Sequence, residues 1–180
     1  VPLEHLWATW RSNYVQGITD SRANVPEGEP GDGRSLFERI LYSGAPDEET
    51  HIVHRGRSCF VLLNRFPYTS GHLMVLPNRA VAELEDLSDE EHEELWALVR
   101  DAVVALKAAL HPQGVNVGIN LGEVAGGSQA DHLHVHAVPR WQGDANFMSV
   151  AGETRVLPVG LDEAWVALRN AWPQRRGATF

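Results

Sequence analysis

A chain of 180 residues, 43% of them apolar, is long enough to fold as one domain with its own core. A formal net charge of -9 argues against a protein that coats DNA or RNA by neutralising phosphates, although a local site for a small polyanion stays open. The single cysteine, Cys59, excludes an internal disulfide framework, and no apolar run is long enough to suggest a membrane span.

The first residues, "VPLEHLWATWRSNYV", show no basic segment followed by an apolar stretch, so no signal peptide is read and cytoplasmic location is the default expectation. Trp7 and Trp10 predict that this N-terminal arm, about residues 1–23, packs on the core or on a second subunit. "NVPEGEPGDGRS", residues 24–35, reads as a flexible surface loop. "SCFVLLN" (58–64) and "HLMVLP" (72–77) are apolar runs separated by a segment with Pro67 and Gly71, which predicts two adjacent antiparallel strands. Cys59 lies in the first and is expected to be a buried small hydrophobe.

A helix is predicted over 88–112. Ser88 with Glu91 three residues on forms a capping box, Leu95, Val99, Ala102, Leu106 and Ala109 make one apolar face, and Pro112 ends it. "GVNVGINLG" (114–122) alternates as a half-buried strand, residues 123–130 form a Gly-rich loop, and "DHLHVHAVPR" (131–140) reads as the next strand. A last helix is expected over 161–172. No internal repeat is present, so residues 1–180 are read as a single α+β domain with an antiparallel meander and two main helices.

A strand has a side-chain period of two, so His132, His134 and His136 emerge on one face while Leu133, Val135 and Ala137 enter the core. Three readings follow. The row could be an exposed face rich in histidine. It could hold a metal, with Glu123 or Asp131 nearby in sequence, although Asp131 should point the opposite way. Or a neutral imidazole could attack phosphorus while its neighbours and the Gly-rich "AGGS" donate hydrogen bonds to charged oxygens.

"HLHVHAV" (132–138) matches the alternating His and apolar motif of the histidine triad (HIT) superfamily at every position, and the chain resembles that family over most of residues 5–170. "LLNRFPYTSGHLMVLPNR" is similar to its first hairpin and "NLGEVAGGSQADHLHVHAVPRW" to its catalytic half. The resemblance implies a HIT-like fold, usually a homodimer. It implies an enzyme that transfers or hydrolyses a nucleotidyl group through His134, with His132 orienting that nucleophile. His136 and His72 would contact phosphate oxygens, and Asn64 the ribose. No cofactor is implied, although a divalent cation can accompany a polyphosphate substrate.

Many relatives place Gln four residues before the first histidine, where this chain has Ser128, with Gln129 next. With the tail "NFMSVAGETRVLP", this resembles the diadenosine tetraphosphate phosphorylase branch. Asn120, Gly127 and Ser128 would then receive inorganic phosphate as a co-substrate, and Gln129 and Trp141 would line the nucleotide site. A hydrolase of the same substrates, a nucleoside phosphoramidate hydrolase and a metal-dependent hydrolase built on the His row are the alternatives. Some relatives carry a Cys-x-x-Cys that helps bind zinc; here Ser35 and Glu38 stand in its place, so that zinc site is expected to be lost. His51 and His54 are read as surface residues.

Overall fold

The computed structural model describes residues 33–125, 129–145 and 157–174. The N-terminal arm with its tryptophans, residues 24–32, Gly127, Ser128 and residues 146–156 of the tail lie outside the described residues.

The order is α1 (Leu36–Leu41), α2 (Asp47–Thr50), β1 (Ile52–Arg55), β2 (Cys59–Leu63), β3 (Leu73–Pro77), α3 (Asp89–Leu110), β4 (Gly114–Ile119), β5 (Val135–Arg140) and α4 (Leu161–Ala171). All strand pairs are antiparallel, and the sheet runs β1-β2-β3-β5-β4. Only β1 to β3 form a consecutive meander. The chain then crosses through α3 to the far edge, lays down β4, and returns as β5 to pair with β3.

Each face of the sheet is set by alternation. Cys59, Val61, Leu63, Leu73, Val75, Leu133, Val135 and Ala137 join Leu95, Ala102 and Leu106 of α3 and Leu168 of α4 in one core. Phe60, Leu62, Met74 and Leu76, from the intervening positions, meet Phe37 and Leu41 of α1 on the other face. The histidine positions of the 132–136 segment belong to this second face.

α3 begins where its sequence signature places it. The Ser88 and Glu91 side chains bond each other's backbone N–H groups, and three acids occupy the first turn. It stops at His111, which takes the left-handed conformation ahead of Pro112. Glu94 on this helix accepts N–H bonds from Arg57, Ser58 and Cys59, which fastens the β1–β2 turn to the helix. Gly56 has no room for a side chain there, since a Cβ would lie 2.7 Å from Glu94 and 2.8 Å from the Cys59 carbonyl. Gly71 is fixed by backbone geometry, with φ +82° and a virtual Cβ 2.3 Å from Leu110.

Cys59 is fully buried, and burial raises its thiol to about 12, so it stays protonated at neutral pH. Among the described residues no helix is long and apolar enough to cross a membrane.

Four local features differ from the sequence reading. α1, α2 and β1 have no counterpart in it, because each is six residues or fewer and too short to show a period. The strand expected from Asp131 starts only at Val135. The His132 and Leu133 amides bond instead to the carbonyls of Gln129 and Val81. Ser35, expected at the end of a surface loop, is buried. His51 and His54 are not idle surface groups: His51 Nε2 lies 2.9 Å from Asp162 of α4, and His54 stacks on Trp172 with ring centroids 5.0 Å apart.

Candidate active site

His72, His132, His134 and His136 are all buried, and their hydrogen bonds fix where each proton sits. The Pro77 carbonyl lies 2.9 Å from His132 Nε2 and can only accept, so His132 carries its proton there. Its Nδ1 then accepts a bond from the Ser35 hydroxyl at 2.7 Å. His134 Nδ1 lies 2.8 Å from the carbonyl of His132, so it is the protonated nitrogen and Nε2 keeps the lone pair. His72 Nδ1 takes the backbone N–H of Tyr68 at 3.2 Å and lies 3.3 Å from the Asn64 amide nitrogen. Its proton is therefore on Nε2, which donates to His136 Nδ1 at 2.9 Å. His136 is left with an Nε2–H; the Asn120 amide nitrogen lies 3.4 Å from it, and a 180° turn of that amide presents Oδ1 as the acceptor.

Burial holds all three motif histidines below their usual range, so they are neutral near pH 7. The effect is largest at His136, which burial and the neighbouring His134 together push down to about 4. The site thus presents one imidazole with a free lone pair beside another with an N–H donor, their ring centroids 4.8 Å apart.

Aromatic rings close the sides. Phe37 of α1 sits 5.5 Å from both His132 and His134, and Tyr68 lies 4.5 Å from His72 and 5.8 Å from His136. The β2–β3 connection that carries Tyr68 is tied down by Thr69 to the Pro139 carbonyl and by Ser70 to Val159.

The sequence-derived residues do not all converge. Asn64, His72 and Asn120 join the histidines. Asn64 also accepts the Phe66 N–H, so it serves the turn as well. Gln129 contributes its carbonyl to His132 N–H. Trp141 lies past the far end of β5, where its N–H donates to Asp144, and Arg140 is paired with the same carboxylate at 2.6 Å. No contact brings Trp141 to the rings among the described residues.

A row of three equivalent groups facing an extended substrate is not what forms. His132 turns away, with both nitrogens occupied by the protein. This donor arrangement does not fit the metal reading either: Asp131 and Glu123 are exposed, and no set of three or more His, Cys, Asp or Glu among the described residues could hold an ion. Ser35 and Glu38 do not fit a zinc site. The Ser35 hydroxyl is held by His132 and the Glu38 N–H, and the Glu38 carboxylate by the N–H groups of Ser35 and Ala80.

Ser35, Phe37 and Tyr68 were missed in the sequence. For Ser35 a signal existed: Ser-x-x-Glu ahead of an apolar run is the same capping pattern that located α3. A separate cavity of about 550 Å³, lined by Asp47, Arg55, Asp101, Arg169 and Trp172 among others, is remote from this chemistry. Asp47 there binds both arginines, at 2.8 and 3.0 Å.

The HIT domain family model matches residues 45–143, which hold every histidine of the cluster. The chain belongs to the HIT family. This HIT protein is 41% identical to AP-4-A phosphorylase of Mycobacterium tuberculosis over 173 residues, 96% of this chain and 86% of that protein. It is 32% identical to bis(5'-nucleosyl)-tetraphosphatase [asymmetrical] of Schizosaccharomyces pombe over 95 residues, covering 53% of this chain and 52% of that one. A crystal structure of a Zn-bound histidine triad family protein from Mycobacterium smegmatis superposes with a TM-score of 0.61 at 28% identity, covering 76% of this chain and 91% of that one. The HIT fold expected from the motif is therefore observed, together with its antiparallel sheet.

Proposed function

We propose that this HIT protein is an enzyme that cleaves dinucleoside polyphosphates of the diadenosine tetraphosphate type, with inorganic phosphate preferred over water as the acceptor. The observation that carries it is the pairing of a lone-pair Nε2 on His134 with the neutral Nε2–H of His136. The relationship to a phosphorylase across 96% of the chain supports the choice of substrate and acceptor.

Nε2 of His134 attacks the α-phosphorus. The N–P bond forms as the P–O bond to the leaving nucleotide breaks, which for diadenosine tetraphosphate releases ATP. The ring becomes cationic, and the His132 carbonyl on its Nδ1–H stabilises that charge. His136 donates to a phosphoryl oxygen without needing a charge of its own. An oxygen of inorganic phosphate then attacks phosphorus, the N–P bond breaks, and ADP leaves with His134 restored. Water in that role gives AMP.

Asn64 is proposed to hold the ribose and His72 to orient His136. Asn120, Gly127 and Ser128 are proposed to admit phosphate, and Gln129 and Trp141 to touch the nucleotide. These steps use imidazole and amide donors and route nothing through a metal, and a divalent cation would enter only with the polyphosphate. A homodimer is the proposed assembly, supported by the outer edge of β4, unpaired among the described residues, and by exposed Val117 on that strand. Cytoplasmic residence is proposed, supported by a sequence whose single cysteine, Cys59, can form no internal disulfide.

Product analysis tests the reading. Diadenosine tetraphosphate with phosphate should give ADP and ATP. AMP and ATP whether or not phosphate is added would identify a hydrolase, the second reading, favoured by the yeast relative. No cleavage of this substrate, with turnover of a nucleoside phosphoramidate instead, would overturn the proposal.

A further inference from the structure

We propose that Ser35 is a positioning residue for the nucleophile: its buried hydroxyl, held at the start of α1, locks the His132 ring so that the His132 carbonyl stays aimed at His134 Nδ1. This rests on the proposed chemistry at His134.

The lock is continuous. The Ser35 hydroxyl accepts the Glu38 N–H at 3.1 Å, while Glu38 returns a carboxylate oxygen to the Ser35 N–H at 2.9 Å. With its lone pair so oriented, the hydroxyl donates to His132 Nδ1 at 2.7 Å. The opposite ring nitrogen donates to the Pro77 carbonyl at 2.9 Å, so the ring is gripped from two elements far apart in sequence. The second Glu38 oxygen takes the Ala80 N–H at 3.1 Å, and the adjacent Val81 carbonyl takes the Leu133 N–H. α1 thus braces both the 77–81 segment and the backbone of residues 132–134. Phe37, two residues after Ser35, packs against both His132 and His134.

A ring held this way cannot flip, because a flip would put Cδ2 in the place of Nδ1 and Cε1 in the place of Nε2, losing both the Ser35 and the Pro77 bonds. Without the hydroxyl, Nδ1 is buried with no donor and only the Pro77 bond remains, so the ring is free to tilt about that one anchor or to take up a proton at Nδ1. The His132 backbone, and with it the His134 ring, then loses its fixed direction.

The test uses the full chain labelled with 15N-histidine and three variants, Ser35→Ala, Ser35→Gly and Ser35→Thr. Glycine caps helices nearly as well as serine, so S35G removes the hydroxyl while sparing α1. Turnover of diadenosine tetraphosphate is read as kcat and KM separately, and imidazole 15N shifts report each tautomer. S35A and S35G should lower kcat about 10- to 100-fold with KM nearly unchanged, should move the His132 Nδ1 shift as its bond is lost, and should broaden or split the His134 Nδ1–H signal as its carbonyl partner loses its direction. S35T should restore both. Wild-type kcat in folded S35G, or an unaltered His134 15N signal in S35A and S35G, would overturn the proposal. If the wild type does not cleave this substrate, the functional reading fails, and the 15N shifts alone still decide whether Ser35 holds His132 and His134 in place.

Discussion

Under α3 and α4, the sheet presents Cys59, Val61, Leu63, Val75, Val135 and Ala137, an unbroken apolar layer. On its other face the same strands present Phe60, Leu62 and Met74, and then, where β3 and β5 run side by side, His72, His134 and His136. The first face needs nothing but shape, since apolar burial is non-directional. The second buries these three imidazoles and, just ahead of β5, that of His132, and each must find hydrogen-bond partners. Those partners decide the protonation state, and the protonation state decides the chemistry. Stability and reactivity are thus carried by alternate residues of one ribbon, only about 3.3 Å apart along the strand.

That separation can be broken from either side. The largest effect expected is from His134→Ala, which should lower kcat by roughly 10³-fold or more while nucleotide still binds and the thermal midpoint hardly moves. Normal turnover in this variant would remove His134 as nucleophile, and a parallel loss of folding would show that the two faces are not separable. Leu106→Ala attacks the other face. It should destabilise by about 3 kcal/mol in a denaturant titration, with kcat per folded molecule little changed.

Acidification acts on the histidine face as a whole. Each motif histidine is harder to protonate folded than unfolded, so between about 6.5 and 4 the unfolded chain binds more protons. Stability from these groups is complete above about pH 6.5 and is lost as the pH falls through that window. His136 alone should contribute a loss on the order of 2 kcal/mol between pH 7 and 5, and the drop should shrink in His136→Asn. A pH-independent denaturation midpoint over that range would show these rings to be ordinary. The smallest effect belongs to Asp162→Ala, which removes an exposed tie to His51 outside both faces and should shift Tm by less than about 2 °C.

Much of this contrast is legible in the sequence. The apolar residues between the histidines identify which face is core, and "HLHVHAV" identifies the family. α3 is marked by its capping box, its apolar stripe and Pro112, all of which are local signals. α1 carries a capping box too, but six residues cannot display a period. Ser35 therefore passes for loop, or for a displaced zinc ligand, when considered only along the chain. Asn64 and His72 are suggested by their place in the first hairpin, yet nothing local shows that His72 will meet His136, 64 residues away.

The sequence alone determined the class of fold and the alternation that sorts core from histidine face, because these follow from spacing within single segments, and the proposal of His134 as nucleophile comes from the resemblance of that segment to the HIT motif. Tertiary structure decided which nitrogen of each ring holds the proton, that both His132 nitrogens bond to the protein, and that Ser35 lies against that ring. A tautomer is set by its hydrogen-bond partners, and those partners, Pro77, Ser35 and His72, come from elements that only folding brings together.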